Sequence, residues 1–290
     1  AGFVSCRACG HVLKCPHCDV SLSQHVTRQH PEGKMVCHYC GYEEPMPKTC
    51  PSCGSKYISG FKAGTQKIEM IVKERFPKAR VLRMDMDTTR NKEGHEQILS
   101  AFANQEADIL IGTQMIVKGH DFPNVTLVGV LAADLSLYVS DYHAAERTFE
   151  LLTQAAGRAG RGSEPGEVVI QTYQPDHYSV QTAKDQDYEA FYEQEMEYRS
   201  MLLYPPVWNM LVILCASKWE QTAYDSAALL VMEIDAWQEE LKSVAETAGE
   251  DFKKKRVFVV GPADPAIAKV NDIYKKVIYI KTKDYQTLVE

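Results

Sequence analysis

Eight of the nine cysteines stand as four Cys-x-x-Cys pairs, Cys6/Cys9, Cys15/Cys18, Cys37/Cys40 and Cys50/Cys53. A pair at this spacing points two thiolates at one ion, and two pairs close a tetrahedral structural site. The eight thiols therefore suffice for two four-cysteine sites. Disulfides would explain the same count in a small secreted chain, but paired spacing fits metal better. Spacing also selects among the possible matchings. Cys18 and Cys37 are separated by 18 residues, a zinc-ribbon interval, whereas Cys9 and Cys15 are separated by five. The favoured arrangement is nested, with an inner site of Cys15, Cys18, Cys37 and Cys40 and an outer site of Cys6, Cys9, Cys50 and Cys53. Zinc is expected rather than iron, and four filled positions leave none for a reacting water. His17 and His38 lie between ligands and are expected to be solvated or to support them.

Beyond the cysteines the chain divides into four stretches, expected at 1–58, 59–174, 175–206 and 207–290. In the second, helical faces (Ile68, Ile71, Val72, Phe76, with Thr65 as N-cap; Ile98, Leu99, Phe102; Ala145, Phe149, Leu152, Ala156) alternate with apolar runs. Val81-Leu82, Ala107–Gly112, Val125–Leu131 and Val168–Thr172 read as strands. The longer apolar runs fit strands buried on both faces. Alternation of this kind implies an α/β fold with a parallel sheet. The third stretch reads as a polar and aromatic linker or helical connection. The fourth offers strands at 211–216, 257–260 and 277–280 and a helix over about 221–248, a small α+β domain. Cys215 falls within an apolar run and is expected in the core. The chain enters a metal motif almost at once and stops as a helix begins, as expected of a truncated segment.

Hydrophobic content of 45% and charged content of 24% are ordinary for a globular chain. No apolar run reaches the ~18 residues of a membrane span, and no signal peptide opens the chain. The net charge of −7 neither supports nor excludes a nucleic-acid partner, because a local basic patch can exist beside acidic helices. Lys269, Lys275, Lys276 and the run Lys253–Arg256 are candidates for such a phosphate-contacting face. Asp85 and Asp87 read as strand-end or turn residues, solvated or capping.

Chemistry concentrates in two loops. Asp108–Phe122 places a strand before a polar loop containing Thr113, Lys118, Gly119 and Asp121, of a kind that approaches phosphates closely. Leu151–Gly162 runs a helix into Gly157-Arg-Ala-Gly-Arg161. The persistent charge and forked donors of Arg158 and Arg161 suit a nucleotide γ-phosphate.

Gln154-x-x-Gly-Arg-x-Gly-Arg161 resembles motif VI of superfamily 2 helicases, Gly112-Thr-Gln114 with Lys118-Gly-His-Asp121 their motif V, and Gly64-Thr-Gln66 their motif IV. Four Cys-x-x-Cys pairs just before Gly64 narrow the resemblance to PriA-type primosomal helicases, and it covers essentially the whole chain. The resemblance implies a RecA-like second helicase lobe, with an inserted two-zinc module and a small C-terminal domain. It implies that Arg158 and Arg161 reach the γ-phosphate, with Arg161 preferred as the finger, and that Gln154 lies at the lobe interface. Lys118, Gly119 and Asp121 would lie beside the nucleotide or couple it to DNA, and Thr113 would touch the DNA backbone.

The family further implies a monomeric, bacterial, cytoplasmic and nucleoid-associated 3′→5′ DNA helicase using ATP and Mg2+. Its implied partners are forked and single-stranded DNA, single-stranded-DNA-binding protein and helicase-loading primosome proteins. No Gly-x-x-x-x-Gly-Lys-Ser/Thr is present, and the resemblance places that motif in a first lobe, so this segment alone is expected not to hydrolyse ATP. A non-motor zinc-ribbon adaptor, and a lobe of another superfamily 2 translocase, remain alternatives.

Overall fold

The computed structural model describes residues 4–25, 33–60, 64–85, 88–89, 92–117, 122–139, 141–162, 164–248, 252 and 255–289. The cysteine-rich module is made of very short strands. β1 (Val4–Cys6) pairs antiparallel with β5 (Ile58–Gly60), while β2 (Ser23–His25), β3 (Lys34–Val36) and β4 (Glu43–Pro45) form an antiparallel sheet in that order. Three-residue strands cannot sustain a module of this size alone. Its core is correspondingly thin: Val4, Leu13, Leu22, Met35 and Ile58 pack around the buried cysteines.

From Thr65 the chain alternates helix and strand. The elements are α1 (Thr65–Arg75), β6 (Val81–Met84), α2 (Lys92–Ala103), β7 (Ile109–Gly112), β8 (Leu127–Val130), α3 (Ala144–Ala156), β9 (Glu167–Ile170), α4 (Tyr178–Asp185) and α5 (Tyr188–Met201). β6 pairs parallel with β7, and β8 parallel with β9. The expected parallel sheet is thus seen as two parallel pairs. Met84, Leu99 and Phe122 fill the core beside the first pair, with Phe102 and Phe122 edge to face at 5.0 Å. Beside the second, Phe149 of α3 stacks on Phe191 of α5 at 4.2 Å, together with Leu152 and Val180.

The structure departs from two sequence expectations. Thr65 is the first helical residue of α1 rather than its N-cap, which is Gly64. β8 and β9 alternate exposed and half-buried positions, with Leu127 and Val169 turned outward, so only one of their faces is covered within this unit. The stretch 175–206, expected as a linker or helical connection, contains α4 and α5, which bury Val180, Ala183 and Phe191 against α3.

The last segment contains β10 (Asn209–Ser217), α6 (Glu220–Ala248), β11 (Phe258–Ala263), β12 (Lys269–Val270), β13 (Ile273–Thr282) and α7 (Gln286–Val289). β13 is the central strand of an antiparallel sheet, flanked by β10 and β11, with β12 hairpinned onto its start. Ala227, Val231, Ile234 and Trp237 of α6 pack against Ile278, Ile280, Ile213 and Val259. Cys215 is partly buried in this core, as expected.

Residues 1–62 and 199–290 form one compact unit and residues 63–198 another. The cysteine-rich module therefore packs with the C-terminal domain, far away in sequence.

Candidate functional sites: two thiolate clusters and an arginine loop

Each Cys-x-x-Cys pair forms a tight turn, and the turns converge in twos. The sulfurs of Cys6, Cys9, Cys50 and Cys53 all lie within 4.8 Å of one another, as do those of Cys15, Cys18, Cys37 and Cys40. Sulfurs stand 3.7 Å apart for Cys6–Cys53 and for Cys9–Cys50, and 3.6 Å for Cys15–Cys40. A tetrahedral ion with zinc–sulfur bonds of about 2.3 Å requires sulfurs about 3.8 Å apart. The nested arrangement is the one the structure brings together.

The donor chemistry also fits. Burial opposes the Cys6 thiolate, but N–H groups of Cys9 and Ala8 and the Cys53 and Cys9 thiols outweigh it and lower its pKa to about 6. Burial likewise opposes the Cys37 thiolate, and N–H groups of Cys40 and Tyr39 with neighbouring thiols bring it to about 7. Each cluster therefore holds one thiol poised to ionise near neutral pH, the form that ligates metal. His17 and His38 do not join either cluster: His17 Nδ1 lies 2.7 Å from Asp272, and His38 Nε2 lies 3.3 Å from His25 Nε2.

The arginine loop is built by α3. Thr148, Phe149, Leu152 and Ala155 bury one face of that helix, which leaves Gln154 exposed on the other. Gly157 ends the helix, its N–H donating to the Thr153 and Ala155 carbonyls. Beyond it the chain turns back on itself. Gly160 has φ of +73° and donates its N–H to the Val125 carbonyl at 3.0 Å. A Cβ there would sit 2.6 Å from the Gly166 nitrogen, so the turn requires glycine. Arg158 is half-buried and Arg161 exposed, with Arg161 Nε donating to the Gly157 carbonyl at 2.7 Å. The same fold anchors the loop to the segment that follows the β7 loop, since Glu167 N–H bonds to the Thr126 carbonyl. Thr113, just after β7, is exposed. Lys118, Gly119 and Asp121 lie outside the described residues.

Of the lysines expected to face phosphate, Lys269 and Lys276 hold protein acceptors. Lys276 is buried, with Nζ 2.6 Å from Asp264 and 3.3 Å from Glu220, and the Asp264 carboxylate raises its pKa above the usual lysine value. Lys269 Nζ donates to the Pro16 carbonyl at 2.8 Å. Lys275 is partly exposed on the other face of β13. Lys253 and Lys254 lie outside the described residues.

A Cys-rich region model described as that of PriA DNA helicase matches residues 15–45, and the helicase conserved C-terminal domain matches residues 56–163. Three relatives named replication restart protein PriA align along nearly the whole chain. That of Bacillus subtilis is 46% identical over 98% of this chain and 33% of its own length. Its Synechocystis counterpart is 42% identical over 96% and 32%, and that of Thermotoga maritima 33% identical over 99% and 36%. The chain belongs to the PriA family.

It spans about a third of the length of these PriA relatives. The PriA Cys-rich match covers the inner thiolate cluster, and the helicase match runs from just before β5 through the arginine loop. One residue of the helicase region was undervalued by sequence reasoning. Asp85 does end a strand and nucleate a turn, accepting the Thr88 N–H at 3.0 Å, but it is buried. Its other oxygen accepts the Thr65 hydroxyl at 2.6 Å and lies 3.2 Å from Arg83, which also meets Glu69 at 3.1 Å. Asp85 thereby ties the first turn of α1, which carries Thr65 of the motif-IV-like Gly64-Thr-Gln66, to β6. Asp87 lies outside the described residues.

Proposed function

We propose that residues 63–198 form the second motor lobe of a DNA-dependent ATPase and 3′→5′ DNA helicase acting at stalled or branched replication forks. The observation that carries this reading is the arginine loop: a helix capped at Gly157 presents Arg161 to solvent from a turn that tolerates only glycine at position 160. Arg161, with Arg158, contacts the γ-phosphate of ATP whose Mg2+ and remaining phosphates are held largely by another lobe. A guanidinium delivered this way stabilises charge developing on the transferred phosphoryl group. Gln154 lies at the same exposed end of α3 and serves the lobe interface; Thr113, Lys118, Gly119 and Asp121 couple nucleotide state to DNA.

The two zinc ions are structural, and the module around them is the surface for single-stranded-DNA-binding protein and helicase-loading proteins. DNA contact from the C-terminal domain is assigned to Lys275 and not to Lys269 or Lys276, whose ammonium groups are already engaged. The test is strand displacement by a full-length protein carrying this segment. Forks with a 3′-tailed tracking strand should be unwound in an ATP-dependent way, and Arg161→Ala should abolish unwinding while leaving fork binding within a few-fold. Unwinding that survives the substitution would favour the adaptor reading for this segment.

A further inference from the structure

All four cysteine turns share one closing hydrogen bond; three make a second within the turn, and the fourth makes its second to the C-terminal domain. In every turn the first cysteine donates its N–H to the carbonyl five residues on: His11, Val20, Tyr42 and Ser55, at 2.8–2.9 Å. After the second cysteine, Gly10, Gly41 and Gly54 adopt φ of 74°, 76° and 71° and return their N–H groups to the carbonyls of Cys6, Cys37 and Cys50. Cys18 is followed by Asp19 instead of glycine. The Asp19 N–H goes to the carbonyl of Lys269, at 2.8 Å.

That contact is one of a set. Asn271 and Asp272, with φ of 52° and 59°, form the two-residue turn between β12 and β13. Asn271 donates its N–H to Cys18 Sγ at 3.2 Å, and Asp272 donates its N–H to the His17 carbonyl at 2.9 Å. The Asp272 carboxylate meets His17 Nδ1 at 2.7 Å, Lys269 Nζ reaches the Pro16 carbonyl, and Val270 packs on the module's core. Every residue from Pro16 to Asp19 is held by the stretch 269–272.

We propose that the β12–β13 turn is a built-in part of the inner metal site, positioning the Cys18 thiolate, so that the inner ion and the docking of the C-terminal domain stabilise each other while the outer ion stands apart. The inference rests on both four-cysteine clusters holding metal. A divalent ion with four thiolates carries net negative charge, and in a buried cluster N–H donors to sulfur disperse it. In the outer site the N–H donors to Cys6 and Cys53 come from Ala8, Cys9 and Ser55, within the turns themselves. For Cys18 the donor arrives from 253 residues away. Coupling between metal and docking is reciprocal, each tightening the other by the same factor.

The experiment strips metal from the zinc-loaded chain with excess chelator, following both ions by colorimetric release. Asp272→Ala and Lys269→Met are the variants; both remove side-chain contacts at the protein surface and leave every cysteine in place. One of the two release phases should accelerate about tenfold or more, the usual cost of losing a ligand's supporting partner, while the other keeps its wild-type rate. In the cadmium-113-substituted chain, the ion released faster should be the one showing scalar coupling to the Asn271 amide proton. Hydrogen exchange supplies the reciprocal arm: Cys37→Ser should expose the amides of Asp19 and Asp272, and Cys53→Ser should leave them protected. Equal acceleration of both phases, unchanged rates in both variants, or no cadmium coupling at Asn271 would overturn the proposal.

Discussion

The metal-bearing module and the arginine loop solve the same problem in opposite ways. Residues 4–60 have little apolar core, and their geometry comes from the ligands: eight sulfurs converge in two clusters whose spacing already matches a tetrahedral ion. Residues 151–162 take their geometry from the backbone, where a helix end, a left-handed glycine and a hydrogen bond to Val125 set the loop. A metal site carries its own partner and so can be tested by removing it. An arginine loop has no such internal check, and its test must come from substrate.

Metal removal should separate the two regions most sharply. Structural zinc contributes an apparent ~10–16 kcal/mol to modules of this kind. Chelation should therefore abolish amide protection across β1–β5 and the four cysteine turns, followed by hydrogen exchange and mass spectrometry, while β6–β9 and α3 keep theirs. Loss of protection in both regions together would contradict this separation. The next largest effect should come from Gly160→Ala. Its positive φ and the 2.6 Å approach to Gly166 imply a cost of about 1–3 kcal/mol in the unfolding free energy of residues 63–198, read by urea denaturation. The metal stoichiometry should stay at two.

Asp85→Asn should cost somewhat less, about 1–2 kcal/mol, because it weakens the Thr65 and Arg83 contacts without opening a cavity. Burial disfavours the Asp85 carboxylate, yet hydrogen bonds from Thr65 and Thr88 and the Arg83 charge outweigh it and lower its pKa. A depressed folded pKa gives stability that is present above the ordinary carboxylate range and is lost as pH falls through the folded value. The wild-type advantage over Asp85→Asn should accordingly shrink on acidification below about pH 4, and a pH-independent gap would point to packing instead. The smallest effect belongs to the exposed pair Arg80–Asp108. The Arg80 guanidinium, with its N–H, lowers Asp108 to about 2, but solvent screens the pair. Asp108→Asn should leave the midpoint of unfolding at neutral pH unchanged within error.

The same contrast governs what could be read from residues alone. Cys-x-x-Cys spacing specified both clusters because ligand pairs and loop lengths are local. The helices and strands of residues 64–170 were legible from their apolar periods, but not which strand faces were covered: Leu127 and Val169 look like core residues and are exposed. Lys276 looked like part of a basic face, and only the alternation of β13 beside Glu220 and Asp264 turns it inward. Asp19 breaks a Cys-x-x-Cys-Gly pattern that the other three turns keep. That signal was visible, yet its meaning needed a hairpin whose β12 strand is two residues long and carries no period to detect. Asp85 was opaque for a similar reason, since its principal partner, Thr65, stands 20 residues earlier.

The central claim is that the Gly157–Arg161 loop acts on a nucleotide phosphate. It is tested most directly by fork-stimulated ATP hydrolysis in a protein that unites this segment with a phosphate-gripping lobe, comparing wild type with Arg161→Ala and Arg161→Lys. The account expects a fall of at least about a hundredfold in turnover for Arg161→Ala, within the range attributed to arginine fingers, with fork affinity retained. Arg161→Lys should recover only part of it, because an ammonium keeps the charge but loses the forked donors. Turnover unchanged in Arg161→Ala would contradict the claim and move the nucleotide role off this loop.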